Sequence, residues 1–246
     1  MTTATDAVQW HEAECGGYAA DLALWEELAD AAGGPILELG CGTGRVALHL
    51  ARTGHEVVGI DTDVALVAEL NARAEEEQVS ARAETAGATD FDLACSFPLV
   101  LAPMQLIQLL PSELGRRAAL DRVAAHLAPG GAFAAALVED RHIPAHDPGD
   151  RAAPLPDVRE RDGWVFSSLP RSVRREGERL TIERLRQAIS PDGEISEQVD
   201  ITRLSPLSAA QLDAEARGAG LRAAAAREVV ATHWHVGSTV VVLESA

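Results

Sequence analysis

Lysine is missing from this chain: all 21 basic residues are arginine. A phosphate-cradling P-loop needs a lysine ammonium, and Schiff-base chemistry needs an amine. The absence argues against Walker-type ATPases, protein kinases and pyridoxal enzymes. Cysteine is scarce too. Cys15, Cys41 and Cys95 are widely spaced with no C-x-x-C pair, so no zinc knuckle or disulfide framework is expected and all three read as free thiols. No apolar run reaches the roughly 18 residues that span a bilayer. The opening stretch, MTTATDAVQW, lacks the basic region and apolar core of a secretory signal, so a cytoplasmic protein is expected. Positive charge is in deficit, 21 basic against 38 acidic residues and a net charge of −17. Such a surface repels phosphate backbones and anionic lipid, so neither nucleic acid nor membrane is an expected partner.

What is present is a chain of 246 residues, 47% hydrophobic, enough for the core of one large domain. Tyr18 to Ala32 reads as an amphipathic helix with Leu22, Trp25, Leu28 and Ala29 on one face, broken by GGP. ILEL is a buried strand, RVALHLAR a helix, HEVVGID a second strand, Asp63 to Glu77 a helix, and VSARAET a weak third strand. PLVLAP is a fourth strand. A helix capped by Ser112 and ended by Pro129 to Gly131 precedes a fifth, AFAAALV. This alternation specifies parallel pairing and a doubly wound α/β sheet.

Beyond Val138 the pattern changes. His142 to Pro156 reads as a loop, and Trp164–Ser168, Arg179–Ile189 and Glu194–Leu204 read as strands, the last two joined by the turn signal SPDG. Ser208 and Gln211 form a Ser-x-x-Gln helix start, followed by strands near Arg222–Ala231 and Val236–Glu244. One domain is expected: an N-terminal helical cap over 1–32, a core over 33–138, a loop with an antiparallel lid over 139–205, and a last helix with closing strands over 206–246.

The stretch ILELGCGTGR places Gly40, Gly42 and Gly44 between a strand and a helix. Helix-start N–H groups there face the crevice in which open α/β sheets bind ligands. Dinucleotide enzymes carry G-x-G-x-x-G, whereas here the third glycine arrives one residue early, a register suited to a flatter ligand without a pyrophosphate. Asp61 follows at the tip of the next strand, about 20 residues on, where a carboxylate accepts from ribose hydroxyls.

ILELGCGTGR, with Glu38 in it, resembles the first motif of class I S-adenosylmethionine (SAM)-dependent methyltransferases. The chain as a whole is similar to bacterial small-molecule members with an antiparallel lid. The resemblance implies a Rossmann-like, seven-stranded, mostly parallel sheet with an antiparallel β insert after the fifth strand. It implies SAM as cofactor, S-adenosylhomocysteine as product and a small-molecule acceptor methylated on oxygen or nitrogen; a homodimer is compatible with it. Cofactor contacts are implied for Gly40, Cys41, Gly42 and Gly44, for Asp61 and Thr62, and for Ala102, Pro103 and Met104 beside the methionine part. The adenine slot falls on Gly87, where the family carries an acidic or polar residue; Ala88 offers its backbone and Asp90 stands near. Tyr18, and behind it Arg45, are candidates for the cofactor carboxylate, while Gln105 or Gln108 points toward the acceptor. P-M-Q is not the N-P-P-Y signature of enzymes acting on amide or exocyclic nitrogens. An NAD(P)-dependent oxidoreductase and a non-catalytic SAM-binding protein are the alternatives.

Methyl transfer from a sulfonium is an in-line displacement with a good leaving group. It needs chiefly an acceptor lone pair held about 3 Å from the methyl, and a base only if the acceptor must lose a proton. His142 and Glu139, after the fifth strand, are the candidates for that base. Pro144 denies His142 and His146 a shared helical face, and His233 and His235 lack a third ligand, so no metal site is expected. The arginines of Arg171 to Arg186 alternate with glutamates, readable as surface ion pairing or as a greeting for a carboxylated substrate.

Overall fold

The structure, a computed structural model, describes residues 4–143, 155–177, 179–232 and 235–245; His146 and His233 lie outside them. Helix α1 (Ala4–His11) runs into a π-helical turn, Glu12–Gly16, and α2 (Leu22–Ala32) follows. Strand and helix then alternate: β1 (Ile36–Leu39), α3 (Arg45–Arg52), β2 (Val57–Asp61), α4 (Val64–Glu77) and β3 (Ala81–Thr85). Next come β4 (Phe97–Ala102), the short α5 (Leu106–Leu109), α6 (Glu113–His126) and β5 (Leu127–Leu137). The insert holds β6 (Asp157–Arg161), β7 (Trp164–Glu176), β8 (Arg179–Ile189) and β9 (Ile195–Leu204). The chain closes with α7 (Ala209–Ala216), β10 (Leu221–Val229) and β11 (Ser238–Ser245).

Seven strands form one sheet in the order β10-β11-β5-β4-β1-β2-β3. β1 to β5 pair in parallel, and β11 enters antiparallel between β5 and β10. The four insert strands make a separate antiparallel sheet in chain order. β1 shows how the core is sorted. Leu37 and Leu39 join Phe133, Leu120 and Leu212 on the α6–α7 side, while Ile36 joins Trp25, Leu50 and Leu70 on the α2–α4 side. Both faces are covered by helices, which is why the parallel strands read as continuous apolar runs. The order reverses between β1 and β4, so the crevice at their carboxyl ends is the topological switch point.

Local signals set several boundaries. Asp63 accepts from the N–H groups of Ala65 and Leu66, Ser112 from Gly115, and Ser208 with Gln211 forms a reciprocal capping box. Other boundaries differ from the sequence reading. The helix expected from Tyr18 starts at Leu22, and the Asp21 carboxylate at its N-cap makes no capping bond, being taken by Arg45 and by the Trp25 indole N–H. The fifth strand begins at Leu127 and carries Pro129 to Gly131 within it. Gly131 is there because a Cβ would stand 2.9 Å from the Ala128 carbonyl oxygen and 3.0 Å from that of Phe97. β7 continues past Ser168 to Glu176. Pro170, which has no N–H for the ladder, sits at a register shift.

Candidate active site

The glycine loop is built by three different needs. Gly40, Gly42 and Gly44 all have positive φ, at 65°, 54° and 93°. A Cβ on Gly40 would lie 2.7 Å from Leu106, which follows β4; one on Gly44 would meet Leu48 and Leu70 at 2.8 and 2.9 Å. The first glycine lets β4's exit segment close in, and the third seats α3 against α4. A Cβ on Gly42 would overlap the His11 imidazole. Cys41 is buried beneath the loop, its thiol against the bare face of Gly59 and pushed up by that burial.

Two carboxylates flank the loop. Asp61 accepts from the Gly42 and Asp63 N–H groups, both at 2.9 Å, so β2's tip and the loop are tied together. Thr62 beside it is exposed. Glu38 is 3% exposed on β1. It takes a hydrogen bond from the Ala47 backbone, yet its Oε2 has no partner among the described residues. Burial pushes its pKa up to about 8. An orphaned buried carboxylate oxygen behind a loop stripped of side chains fits a ligand that brings a cation.

At the third strand's exit, Gly87 and Ala88 are half-buried. Asp90 Oδ1 lies 2.6 Å from where a Gly87 Cβ would stand, so the turn returns an acidic group to the slot that lacks one. At the exit of β4, Ala102 and Pro103 are buried and the next two residues, Met104 and Gln105, both adopt left-handed conformations at φ 48° and 59°. Each costs a non-glycine residue of order 1–3 kcal/mol, and such strain gathers at functional sites. The Gln105 side chain makes no hydrogen bond among the described residues. Gln108 lines the cavity beside Val138, with its amide held in place: it donates to the Val138 and Ser205 carbonyls at 3.0 and 3.3 Å and accepts from the Val138 N–H at 2.8 Å.

Arg45 is not an open anion site either. Its guanidinium grips Asp21 bidentately at 2.6 and 2.8 Å, both side chains nearly buried, and donates to the Tyr18 carbonyl. Tyr18 packs its ring under that guanidinium and 4.8 Å from the His235 ring; burial pushes its hydroxyl up to about 12.

The two base candidates are committed elsewhere. Glu139 accepts from the Ala209 N–H at 3.0 Å, the Thr239 hydroxyl at 2.7 Å and Arg141 at 3.1 Å. Burial opposes its ionisation, but these donors outweigh it and hold the carboxyl below its usual range. His142 accepts the Glu139 N–H on Nδ1 at 3.0 Å, which leaves the proton of the neutral ring on Nε2; that nitrogen is buried 3.5 Å from Glu228 with no hydrogen bond among the described residues. Both are brackets joining β5's exit to α7, β10 and β11. A cavity of about 300 Å³ opens beside them, under the β7–β8 hairpin, lined by Val138, Ile143, Leu180, Ser205 and Gln211 among others.

The N-terminal cap supplies residues that sequence reasoning passed over. His11 lies on Gly42 with Nδ1 3.1 Å from the Thr43 hydroxyl, and burial lowers its pKa. The Thr43 hydroxyl donates to Glu12, which also binds Arg73 at 2.8 Å. Burial works against Glu12's charge, yet Arg73 and Thr43 keep its pKa lowered. Glu14 accepts from Arg186 and Ser168 at 2.7 Å, and Trp10 meets Phe166 edge-on at 5.0 Å. The cap is thus clamped between the loop and the insert. Most insert arginines serve ion pairs: Arg174 with Glu176 and Glu183, Arg184 with Asp157, Arg186 with Glu14 and Asp200.

Comparison with known proteins agrees with this geometry. A methyltransferase-domain family model matches residues 36–131, from β1 into β5. A ubiquinone biosynthesis O-methyltransferase of Nitrobacter winogradskyi is 32% identical over 107 residues, which is 44% of this chain and only 40% of that protein's length. A dTDP-3-amino-3,6-dideoxy-alpha-D-glucopyranose N,N-dimethyltransferase of Streptomyces fradiae is 29% identical over 204 residues, covering 82% of this chain and 76% of its own. The SAM-bound amino pentose methyltransferase of calicheamicin biosynthesis from Micromonospora echinaspora superposes with a TM-score of 0.69 at 23% identity, over 96% of each chain. With the glycine loop, the switch-point crevice and the sheet order all in place, residues 36–131 are a methyltransferase domain, and the chain as a whole has the fold of that solved methyltransferase.

Proposed function

We propose that this protein methylates an amine nitrogen of a small, sugar-like acceptor, with SAM as donor. The observation that carries the reading is the side-chain-free loop of Gly40, Gly42 and Gly44 backed by the unpartnered Glu38 oxygen. SAM supplies a methyl group made electrophilic by its sulfonium. On our reading the Glu38 carboxylate takes the cofactor's ammonium, Asp61 offers its remaining lone pairs to the ribose, and Asp90 with the Ala88 backbone meets the adenine. The His11 ring must leave Gly42 for this to happen, so the cap opens to load. Tyr18 is kept as the candidate for the carboxylate end.

Two arguments favour nitrogen. A neutral amine presents its own lone pair, whereas a hydroxyl must shed a proton as it attacks, and Glu139 and His142 are both occupied as brackets. Relatives from Streptomyces and Micromonospora, moreover, are a dideoxyaminosugar N,N-dimethyltransferase and an amino pentose methyltransferase. The cavity under the β7–β8 hairpin is our acceptor space, with Gln108, three residues beyond the strained Met104–Gln105 exit, in its wall. A cytoplasmic setting and a small-molecule partner belong to the same reading. The net charge of −17 supports leaving nucleic acid out.

The test is methyl transfer to a panel of nucleotide-linked amino sugars and their hydroxy counterparts. Product from an amine, with none from its hydroxy analogue, is the expected result; turnover confined to hydroxyl acceptors overturns the nitrogen assignment.

A further inference from the structure

The connection between β10 and β11 opens onto the ligand crevice. β11 runs antiparallel to β5, with Thr239 opposite Leu137, so the segment before β11 stands at the carboxyl end of the parallel strands. Gly237 holds that segment close: a Cβ there would lie 2.8 Å from the Val229 carbonyl oxygen and 3.6 Å from the His142 ring. Just ahead of it the chain turns on itself. The Thr232 N–H donates to the His235 carbonyl at 2.9 Å, and the His235 N–H donates to the Thr232 hydroxyl at 3.0 Å. This turn sets the His235 imidazole, with Nδ1 3.4 Å from the same hydroxyl and the ring centre 4.8 Å from that of Tyr18. The His235 Nε2 makes no hydrogen bond among the described residues, and neither does the Tyr18 hydroxyl.

We propose that His235 joins Tyr18 in holding the carboxylate of SAM, a step that rests on the cofactor reading above. The cofactor carries its ammonium and its carboxylate on one carbon, so the two must be bound side by side. Glu38, to which that reading gives the ammonium, lies close enough to Arg45 and Asp21 for both to act on its charge. Those two neutralise each other in a bidentate pair, so the Arg45 fork is already filled. Tyr18 rides on the pair, its ring centre 5.1 Å from the Arg45 guanidinium carbon, and His235 stands against Tyr18. Burial pushes the Tyr18 hydroxyl up to about 12, so it stays protonated and donates. The Thr232 hydroxyl beside Nδ1 suits the tautomer with the ring proton on Nε2, and a protonated ring carries one there as well. In either state Nε2 is a donor. The site thus takes one O–H from the segment before α2 and one N–H from the segment before β11, two open donors for two carboxylate oxygens.

Calorimetric titration of the full chain with two ligands tests this: S-adenosylhomocysteine, and its decarboxylated analogue, which keeps the amine. His235→Ala should weaken S-adenosylhomocysteine about tenfold, the scale of one charge-assisted hydrogen bond, and leave the analogue within about twofold. Tyr18→Phe keeps the ring on Arg45 and removes only the hydroxyl, and should show the same selective loss. A merely structural role for His235 would weaken both ligands alike. That result, or a His235→Ala chain that binds both as the wild type does, overturns the proposal while the cofactor reading stands. A wild-type chain that gives no heat with S-adenosylhomocysteine overturns both.

Discussion

Glu38 offers the sharpest chemical prediction. Its carboxyl is buried on β1 with one oxygen unpartnered, and burial raises its pKa to about 8. At pH 7 roughly nine-tenths of that carboxyl is therefore protonated before ligand binds. An ammonium brought against the free oxygen favours the charged form, so binding should expel the proton. Titrating S-adenosylhomocysteine calorimetrically at pH 7, in buffers of different ionisation enthalpy, should show roughly 0.9 proton released per cofactor. Glu38→Gln should abolish the release and weaken binding at least about tenfold, as expected for losing a charge-assisted hydrogen bond worth about 1.5–3 kcal/mol. Stability carries the same signature. The folded pKa lies above the unfolded value of 4.5, so between pH 4.5 and 8 the folded state holds more protons and stability falls as pH rises. The fall is up to about 5 kcal/mol at 1.36 kcal/mol per pKa unit, and Glu38→Gln should flatten it. A wild-type release near zero, or the same release from the variant, would refute the reasoning.

Other substitutions separate structural from chemical roles. Asp21→Ala leaves the Arg45 guanidinium buried without its partner and should cost about 3–5 kcal/mol, read as a lowered midpoint in urea. Glu139→Gln should lower stability by about 1–2 kcal/mol through lost hydrogen bonds but leave kcat within a few-fold. A loss of about a hundredfold, typical of a general base, would restore Glu139 to the chemistry. Ser208→Ala removes the capping box of α7 and should cost about 1 kcal/mol, measured by thermal unfolding.

The sequence was most legible where a signal and its consequence lie close together. The glycine loop, the tip aspartate Asp61, the Ser112 and Ser208 caps and the SPDG turn act within a few residues of themselves, and β1 to β5 follow from their alternation. Legibility ended where partners arrive from afar. Glu139 looks like a free carboxylate at a strand end until Ala209 and Thr239 reach it from 70 and 100 residues away. Arg45 looks like an anion site until Asp21 takes it. The segment before Tyr18 gives no amphipathic rhythm, because its π-helical turn spreads Glu12 toward the loop and Glu14 toward the insert. β7 hides its length behind Pro170, which a strand tolerates only at an irregularity.

The direct test of the central claim is a pair of calorimetric titrations of the intact chain, one with S-adenosylhomocysteine and one with NAD. Saturable heat with the first and none with the second is the predicted result; no heat with S-adenosylhomocysteine, or tighter binding of NAD, would contradict the account.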